Sequence, residues 1–250
     1  MSLPADKKLI IFDLDGTLAP SKSPLSPAMG KLIVKLLDIA HVAVISGGSF
    51  QQFQTQFASH LPHPSKLSNL LLLPTSGTRL YIWKGAWHQE YAEDLSAHDR
   101  EHVLNVLNDA LKAARHTKPA TTYGPIIEDR GSQITFSALG QNAPLAAKEA
   151  WDPTRAKREK IADLVSRKLI GFDVRIGGST SIDITKKGVN KAYGIRKVEQ
   201  YLGLTPDHII FVGDALFLGG NDHPARATGV DCIQVSGPDH TARLIETWIS

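Results

Sequence analysis

Apolar positions follow two rhythms along this chain, and the places where the rhythm changes mark its organisation. Lys8 to Phe12 (KLIIF) and Ala40 to Ile45 (AHVAVI) are short apolar runs that stop at polar turns, DLDGT and SGG, as buried parallel strands do. Between them Met29, Leu32, Ile33, Leu36 and Leu37 recur at helical spacing, which predicts an amphipathic helix over Pro27 to Leu37. Strand, helix, strand at this length is a βαβ unit with a right-handed crossover. A helix over Phe50 to Phe57, a strand over Asn69 to Leu73, and a hairpin of Leu80 to Trp83 with Trp87 to Tyr91 complete the first part.

A different texture follows. A long helix is predicted over Ser96 to Arg115, then strands Ile126 to Asp129 and Gln133 to Ala138, a helix over Pro153 to Leu169, and strands Phe172 to Ile176 and Ser181 to Thr185. Helix, two strands, helix, two strands forms an α+β module of its own. The first rhythm then returns with a helix over Lys191 to Leu202, strands Ile209 to Val212 and Cys232 to Val235, and a closing helix over Thr241 to Trp248. The pattern predicts one α/β domain, residues 1–89 and 188–250, with an α+β domain inserted over 90–187.

Composition narrows the function classes. A formal charge of +3 from 28 Lys+Arg against 25 Asp+Glu is mild and spread out, which does not select nucleic acid as a partner. Cys232 is the only cysteine, so no intramolecular disulfide forms, as in a reducing cytosol. No signal peptide is visible, and no apolar run approaches the roughly 20 residues of a membrane span. These readings point to a soluble cytoplasmic protein. The ten histidines lack a close His/Cys ligand set, which sets zinc aside.

Ligands of an open α/β sheet bind outside the carboxyl ends of its strands, and four sequence stretches are placed there. Asp13 and Asp15, two apart, project to one face if strand geometry persists, and two carboxylates there call for a cation. A hard divalent ion, magnesium above all, draws on one or two carboxylates and a substrate phosphate, with Asp214 a further acid. Gly16 and Thr17 leave backbone amides exposed around a phosphate. Ser46 and Gly47 offer a hydroxyl and flexible amides to a phosphate oxygen, although Ser46 at that place also reads as a helix cap. Lys191 at a helix start reinforces the dipole that attracts anions.

DLDGTLAP, SGG, Lys191 and GDALFLGGND, in that order, resemble the haloacid dehalogenase superfamily of aspartate-based phosphotransferases, in the branch with a large α/β cap. The resemblance implies a Rossmann-like, doubly wound parallel-sheet core with an inserted cap. It makes Asp13 the nucleophile that forms an aspartyl-phosphate, and Asp15 the general acid/base and a magnesium ligand through its carbonyl. It puts Ser46 and Lys191 at the phosphoryl group and Asp214 at the metal, with Asn221 and Asp222 as a later pair supporting metal or lysine. Within the superfamily, EDRGSQITFSALG (Glu128 to Gly140) and GGSTSIDIT (Gly177 to Thr185) resemble eukaryotic-type phosphomannomutases. That likeness implies that Arg130 meets a distal phosphate, that Ser181 and Asp183 line the sugar site, and that a homodimer could form through the cap. Where the mutase pattern has a second arginine this chain has Gln141, and Lys148 stands near the place of a third.

A mutase must hold phosphate at both ends of a sugar, whereas a phosphatase needs charge only at the nucleophile, and Gln or Lys replaces a guanidinium fork only in part. The expectation is therefore a phosphatase acting on a phosphorylated hexose or similar metabolite. A phosphomannomutase interconverting mannose 6-phosphate and mannose 1-phosphate is the alternative, and a non-catalytic sugar-phosphate sensor a third. The basic residues Lys157, Arg158 and Lys160 are expected to form one solvated helix face.

Overall fold

The computed structural model describes residues 2–62 and 66–250. The chain divides into two compact units, Met1–Ala92 with Val189–Ser250, and Glu93–Gly188. The division falls three residues after the predicted 89/90 boundary because the outer hairpin strand runs to Ala92 and stays paired in the first unit's sheet.

The first unit is built on a seven-stranded sheet. Its strands are β1 (Leu9–Asp13), β2 (His41–Ile45), β3 (Leu70–Leu73), β4 (Arg79–Trp83), β5 (Trp87–Ala92), β10 (Ile209–Gly213) and β11 (Asp231–Gln234), in the order β11-β10-β1-β2-β3-β4-β5. From β11 to β3 every pairing is parallel, and the β4–β5 hairpin adds an antiparallel edge. Alternation along β1 divides the core: Ile10 and Phe12 pack on one face with α1 (Pro27–Leu36), α2 (Phe50–Gln56) and α7 (Pro238–Ile249), while Leu9 and Ile11 pack on the other with α6 (Lys191–Leu202). Pro27 at the first position of α1 and Ser26 accepting from Met29 N–H fix where that helix begins. Trp83 and Trp87 pack edge to face across the hairpin, with centroids 5.4 Å apart. Cys232 is half buried at the edge of the second core, on the α6 face. No helix among the described residues is long and apolar enough to cross a membrane.

The second unit is an antiparallel sheet of β6 (Ile127–Asp129), β7 (Gln133–Ser137), β8 (Phe172–Gly177) and β9 (Ser181–Lys186), ordered β6-β7-β9-β8. Ile134, Phe136, Ile182 and Ile184 face α3 (Ala97–Ala113) and α5 (Ala156–Ser166) in one core. Strand alternation turns Gln133, Thr135 and Ser137 of β7, and their cross-strand partners Thr185, Asp183 and Ser181 of β9, to the opposite face.

Two expectations in this unit need correction. The helix predicted over Pro153 to Leu169 is only α5, and a seven-residue helix, α4 (Leu145–Trp151), precedes it unannounced by any capping side chain. Arg158 is not on a solvated face. It is buried, its Nε donates to Asp152 Oδ2 at 2.9 Å, and its guanidinium also donates to the Gly178 carbonyl. Asp152 further accepts the N–H groups of Lys157 and Arg158, both at 3.1 Å, so it caps the first turn of α5 from outside the helix.

Candidate active site

The strand order reverses at β1, which lies between β2 and β10, so the three strands end side by side in the crevice where open α/β sheets hold ligands. Asp13 is the last residue of β1 and pairs in register with Ile45, one residue before Ser46, while Gly213 ends β10 one residue before Asp214. Lys191 opens α6, whose N-cap Asn190 accepts from Tyr193 N–H at 3.1 Å.

The structure brings Asp13, Asp214, Asp222 and Lys191 together. Asp13 and Asp222 are buried, and each aspartate of the three offers a carboxylate oxygen within 4.8 Å of the others. Lys191, also buried, donates to Asp13 Oδ1 and to the Ile45 carbonyl at 3.1 Å, and its Nζ lies 3.3 Å from Asp222 Oδ1. Asp222 Oδ2 accepts the Ala215 N–H at 3.1 Å, which anchors the far end of the GDALFLGGND loop to its start. Gly213 is required here, because a Cβ would run into the Asp222 carboxylate. Thr17, fully buried, lies 3.4 Å from Asp214 Oδ1 as a long hydrogen bond.

Burial pushes the Asp13 carboxyl up; Lys191 pulls it back down, and the Asp222 and Asp15 charges push it up again, with a net rise. Burial would lower the Lys191 ammonium, but the charges of Asp13 and Asp222 outweigh it and hold it up. Asp214 is raised by burial and by the Asp222 charge. Three carboxylates and one ammonium leave negative charge in excess, and Asp13 Oδ2 is a buried oxygen with no hydrogen-bond partner. Gly16, at φ 81°, leaves the Asp214 carboxylate uncovered where a Cβ would stand 2.7 Å from its Oδ2. An all-oxygen, anionic set of three carboxylates suits a hard divalent cation held by Asp13, Asp214 and Asp222.

Asp15 departs from the strand-face expectation. β1 ends at Asp13, the chain turns, and Asp15 Oδ1 accepts the Lys22 N–H, so its carboxylate is not one of the three clustered acids. Ser46 is buried and its Oγ accepts the Gly48 N–H at 3.2 Å. The cap of α2 belongs instead to Ser49, which forms a reciprocal capping box with Gln52, so helix capping does not account for Ser46. Gly47 is partly exposed on the same loop, and Asn221 is exposed beside Asp222.

A feature that sequence reasoning passed over seats this loop. Thr75, Ser76 and Gly77 all have positive φ, at 49°, 58° and 85°. In this turn the N–H groups of Thr75 and Ser76 donate to the carbonyls of Gly48 and Ser46, both at 2.9 Å. Its Gly77 lies against Gly194 of α6 so closely that a Cβ on Gly77 would overlap the Gly194 backbone, and one on Gly194 would press on the Ser76 carbonyl at 2.9 Å. The signal in the sequence was only the glycine of TSG.

The remaining candidates lie in the second unit. Arg130 Nε and Nη2 donate to Glu128 Oε2 at 3.1 and 2.8 Å. Lys148 is buried and donates to the Gln141 carbonyl at 2.6 Å. Asp183 Oδ1 accepts from Gln133 and Thr135, and Ser181 is buried on the same strand.

In solved structures the fold is shared with a haloacid dehalogenase-like hydrolase from Bacteroides thetaiotaomicron, with TM-score 0.65, 16% identity, 96% of this chain and 98% of that one. It is also shared with the IMP-nucleotidase of Plasmodium falciparum, with TM-score 0.71, 16% identity, 97% of this chain and 71% of that one. Phosphomannomutases of Galdieria sulphuraria (25% identical, 94% of this chain, 92% of the relative) and Schizosaccharomyces pombe (26%, 87% and 84%) are similar along most of their length. The sequence profile described as eukaryotic phosphomannomutase matches residues 29–250, well beyond half of the chain, which therefore belongs to that family of phosphoryl-transfer enzymes.

Proposed function

We propose that this protein transfers a phosphoryl group on a hexose monophosphate by way of an aspartyl-phosphate at Asp13, and that it interconverts mannose 6-phosphate and mannose 1-phosphate. One observation carries the chemistry: a buried carboxylate with one oxygen bound by Lys191 and the other without a partner, at the carboxyl end of the central strand. The choice of substrate rests on the phosphomannomutase relatives, which favour the mutase over the hydrolysis expected from Gln141.

In this reading Asp13 Oδ2 attacks phosphorus in line with the leaving oxygen, which takes a proton from Asp15. A second hydroxyl then returns its proton to Asp15 as it attacks the aspartyl-phosphate, releasing Asp13. Lys191 holds Asp13 Oδ1 so that the other oxygen is aimed, and its charge opposes the build-up of negative charge on the phosphoryl oxygens. Ser46 and the amides of Gly47 and Thr17 supply donors to those oxygens. Magnesium, held by Asp13, Asp214 and Asp222, would screen the nucleophile from the anionic phosphate. Arg130, Asp183, Ser181, Gln141 and Lys148 serve recognition of the rest of the substrate.

A second reading, hydrolysis of the same substrate class, is favoured by the second unit's charges. Gln141 replaces an arginine, Lys148 is committed to the Gln141 carbonyl, and Arg130 is paired with Glu128. The two readings separate in one experiment with magnesium present. Conversion of mannose 1-phosphate that depends on a catalytic hexose bisphosphate, with little phosphate released, supports the mutase. Rapid phosphate release that the bisphosphate does not accelerate supports hydrolysis instead. Absence of both, or an activity that Asp13→Asn leaves undiminished, removes this reading.

A further inference from the structure

The polar face of the second unit's sheet holds a closed triangle of hydrogen bonds around one carboxylate oxygen. Gln133 Nε2 donates to Asp183 Oδ1 at 3.0 Å and to Thr135 Oγ1 at 2.8 Å, and Thr135 Oγ1 donates to Asp183 Oδ1 at 2.8 Å. Gln133 and Thr135 are 1% and 0% exposed, so neither is a surface polar residue answering to solvent. Two donors on one oxygen fix the rotamer and tilt of Asp183 and leave Oδ2 without a partner among the described residues.

What stands beside Oδ2 is a gap. Gly177 pairs across the sheet with Ser181, and a Cβ on it would stand 2.9 Å from Asp183 Oδ2 and 4.0 Å from Ser181 Cβ. Its φ is not in the left-handed region, so the backbone does not demand glycine there; the space does. Ser181 Oγ, which borders the same gap, is a buried hydroxyl with no hydrogen-bond partner. An acceptor-only carboxylate oxygen and an unsatisfied hydroxyl side by side suit a pair of neighbouring hydroxyl groups, one donating to Asp183 and one exchanging with Ser181. The same carboxylate would repel a phosphate.

We propose that Gln133 and Thr135 are positioning residues that lock Asp183 as a hydroxyl reader, and that Gly177 is the specificity position that keeps its free oxygen open to a polyhydroxylated substrate. The inference rests on the hexose-phosphate reading above and extends it to residues outside the phosphoryl site. Losing a hydrogen bond to a charged group is worth roughly a tenfold or greater loss in affinity.

The test uses the full chain with Thr135→Val, Thr135→Ser and Gly177→Ala, assayed with a hexose monophosphate and with an aryl phosphate that carries no hydroxyl. The expected result is that Thr135→Val and Gly177→Ala raise KM for the hexose monophosphate about tenfold while kcat moves far less. The hexose-to-aryl ratio of kcat/KM falls to match, and Thr135→Ser restores it. Equal losses on both substrates, a fall confined to kcat, or no rescue by serine would overturn the proposal. Competition of the hexose monophosphate against the aryl phosphate gives the sugar's Ki, which is expected to rise about tenfold in the same variants without requiring the sugar to react. A sugar phosphate that competes but is never converted therefore counts against the proposed function and not the clamp, whereas one that neither reacts nor competes overturns both.

Discussion

Gly194→Ala sets two physical arguments against each other. Alanine favours a helix over glycine by about 1 kcal/mol, so propensity alone predicts a more stable α6. The packing predicts the reverse. A Cβ at 194 would stand 2.9 Å from the Ser76 carbonyl oxygen and 3.3 Å from Gly77 Cα, and would overlap Ile45 Cδ1. Ordinary contact begins at 3.4 Å, so the first turn of α6 must withdraw by about 0.5 Å from Ser76. Ile45 is wholly buried between sheet and helix and has little room to yield. Overpacking of this kind costs about 1–3 kcal/mol, which cancels or exceeds the gain in propensity. Lys191 is one turn earlier on the same helix, and a withdrawal of that size stretches its 3.1 Å hydrogen bond to the Ile45 carbonyl and loosens its hold on Asp13. A misplacement of 1 Å is worth about a hundredfold in rate, so half of that gives roughly a tenfold fall in kcat. Denaturant unfolding and steady-state phosphoryl transfer on the same preparation read both effects. A Gly194→Ala protein that is more stable than the parent and keeps its kcat would show that α6 is not seated on Ser76 and Gly77 as described.

Three further outcomes follow from particular contacts. Asp214→Asn should weaken magnesium by roughly tenfold or more, seen as a smaller metal-induced rise in Tm and a higher concentration for half-maximal activity; an unchanged Tm shift would remove Asp214 from the metal site. Arg158→Leu leaves the Asp152 carboxylate buried without its ion-pair partner, at a cost of about 3–5 kcal/mol, read from the denaturant midpoint by circular dichroism, with Asp152→Ala in addition recovering part of the loss. The His116 imidazole is held below its ordinary 6.5 by burial and then by the Lys157 charge, and its Nε2 has no acceptor. The folded chain therefore binds its proton less readily than the unfolded chain, so its contribution to stability is present above pH 6.5 and is lost as pH falls through the depressed value. His116→Gln should flatten that part of the stability profile between pH 7.5 and 5; a profile identical to the parent's would assign the slope to other groups.

The strands of the central sheet were legible because runs such as KLIIF are buried on both faces and stop at turns whose residues cannot continue them. Asp13, Asp214 and Lys191 were legible for the same reason, since each ends or follows a strand or opens a helix, whereas Asp222 was reached only through the family resemblance. What could not be read was anything decided at long range. Arg158 is an ordinary basic residue of a helix until Asp152 and the Gly178 carbonyl close around it. The seven residues of α4 carry neither a cap nor two full turns of periodicity. Ser46 and Ser49 both precede α2 as possible caps, and the reciprocal bond to the glutamine at 52 is what decides for Ser49. The pairing of Gln133 and Thr135 with Asp183 joins positions 50 and 48 apart in the chain, and only the strand register brings them level.

The turn of three left-handed residues at 75–77 bears on how the site comes into being. Such conformations cost of order 1–3 kcal/mol each for residues other than glycine, and Thr75 and Ser76 are both of that kind. The contacts that hold them come from the loop at 46–48 on one side and from Gly194 on the other. A chain emerging from the ribosome has its nucleophile, its phosphate loop and this turn in hand long before it reaches position 194, and until then the turn has the 46–48 loop and the Tyr91 hydroxyl on the Gly77 carbonyl but not the backing of α6. We expect the nucleophile's surroundings to order late, in the same event that docks α6 and delivers Lys191 to Asp13. A half-made chain would then carry the acid without the means to use it.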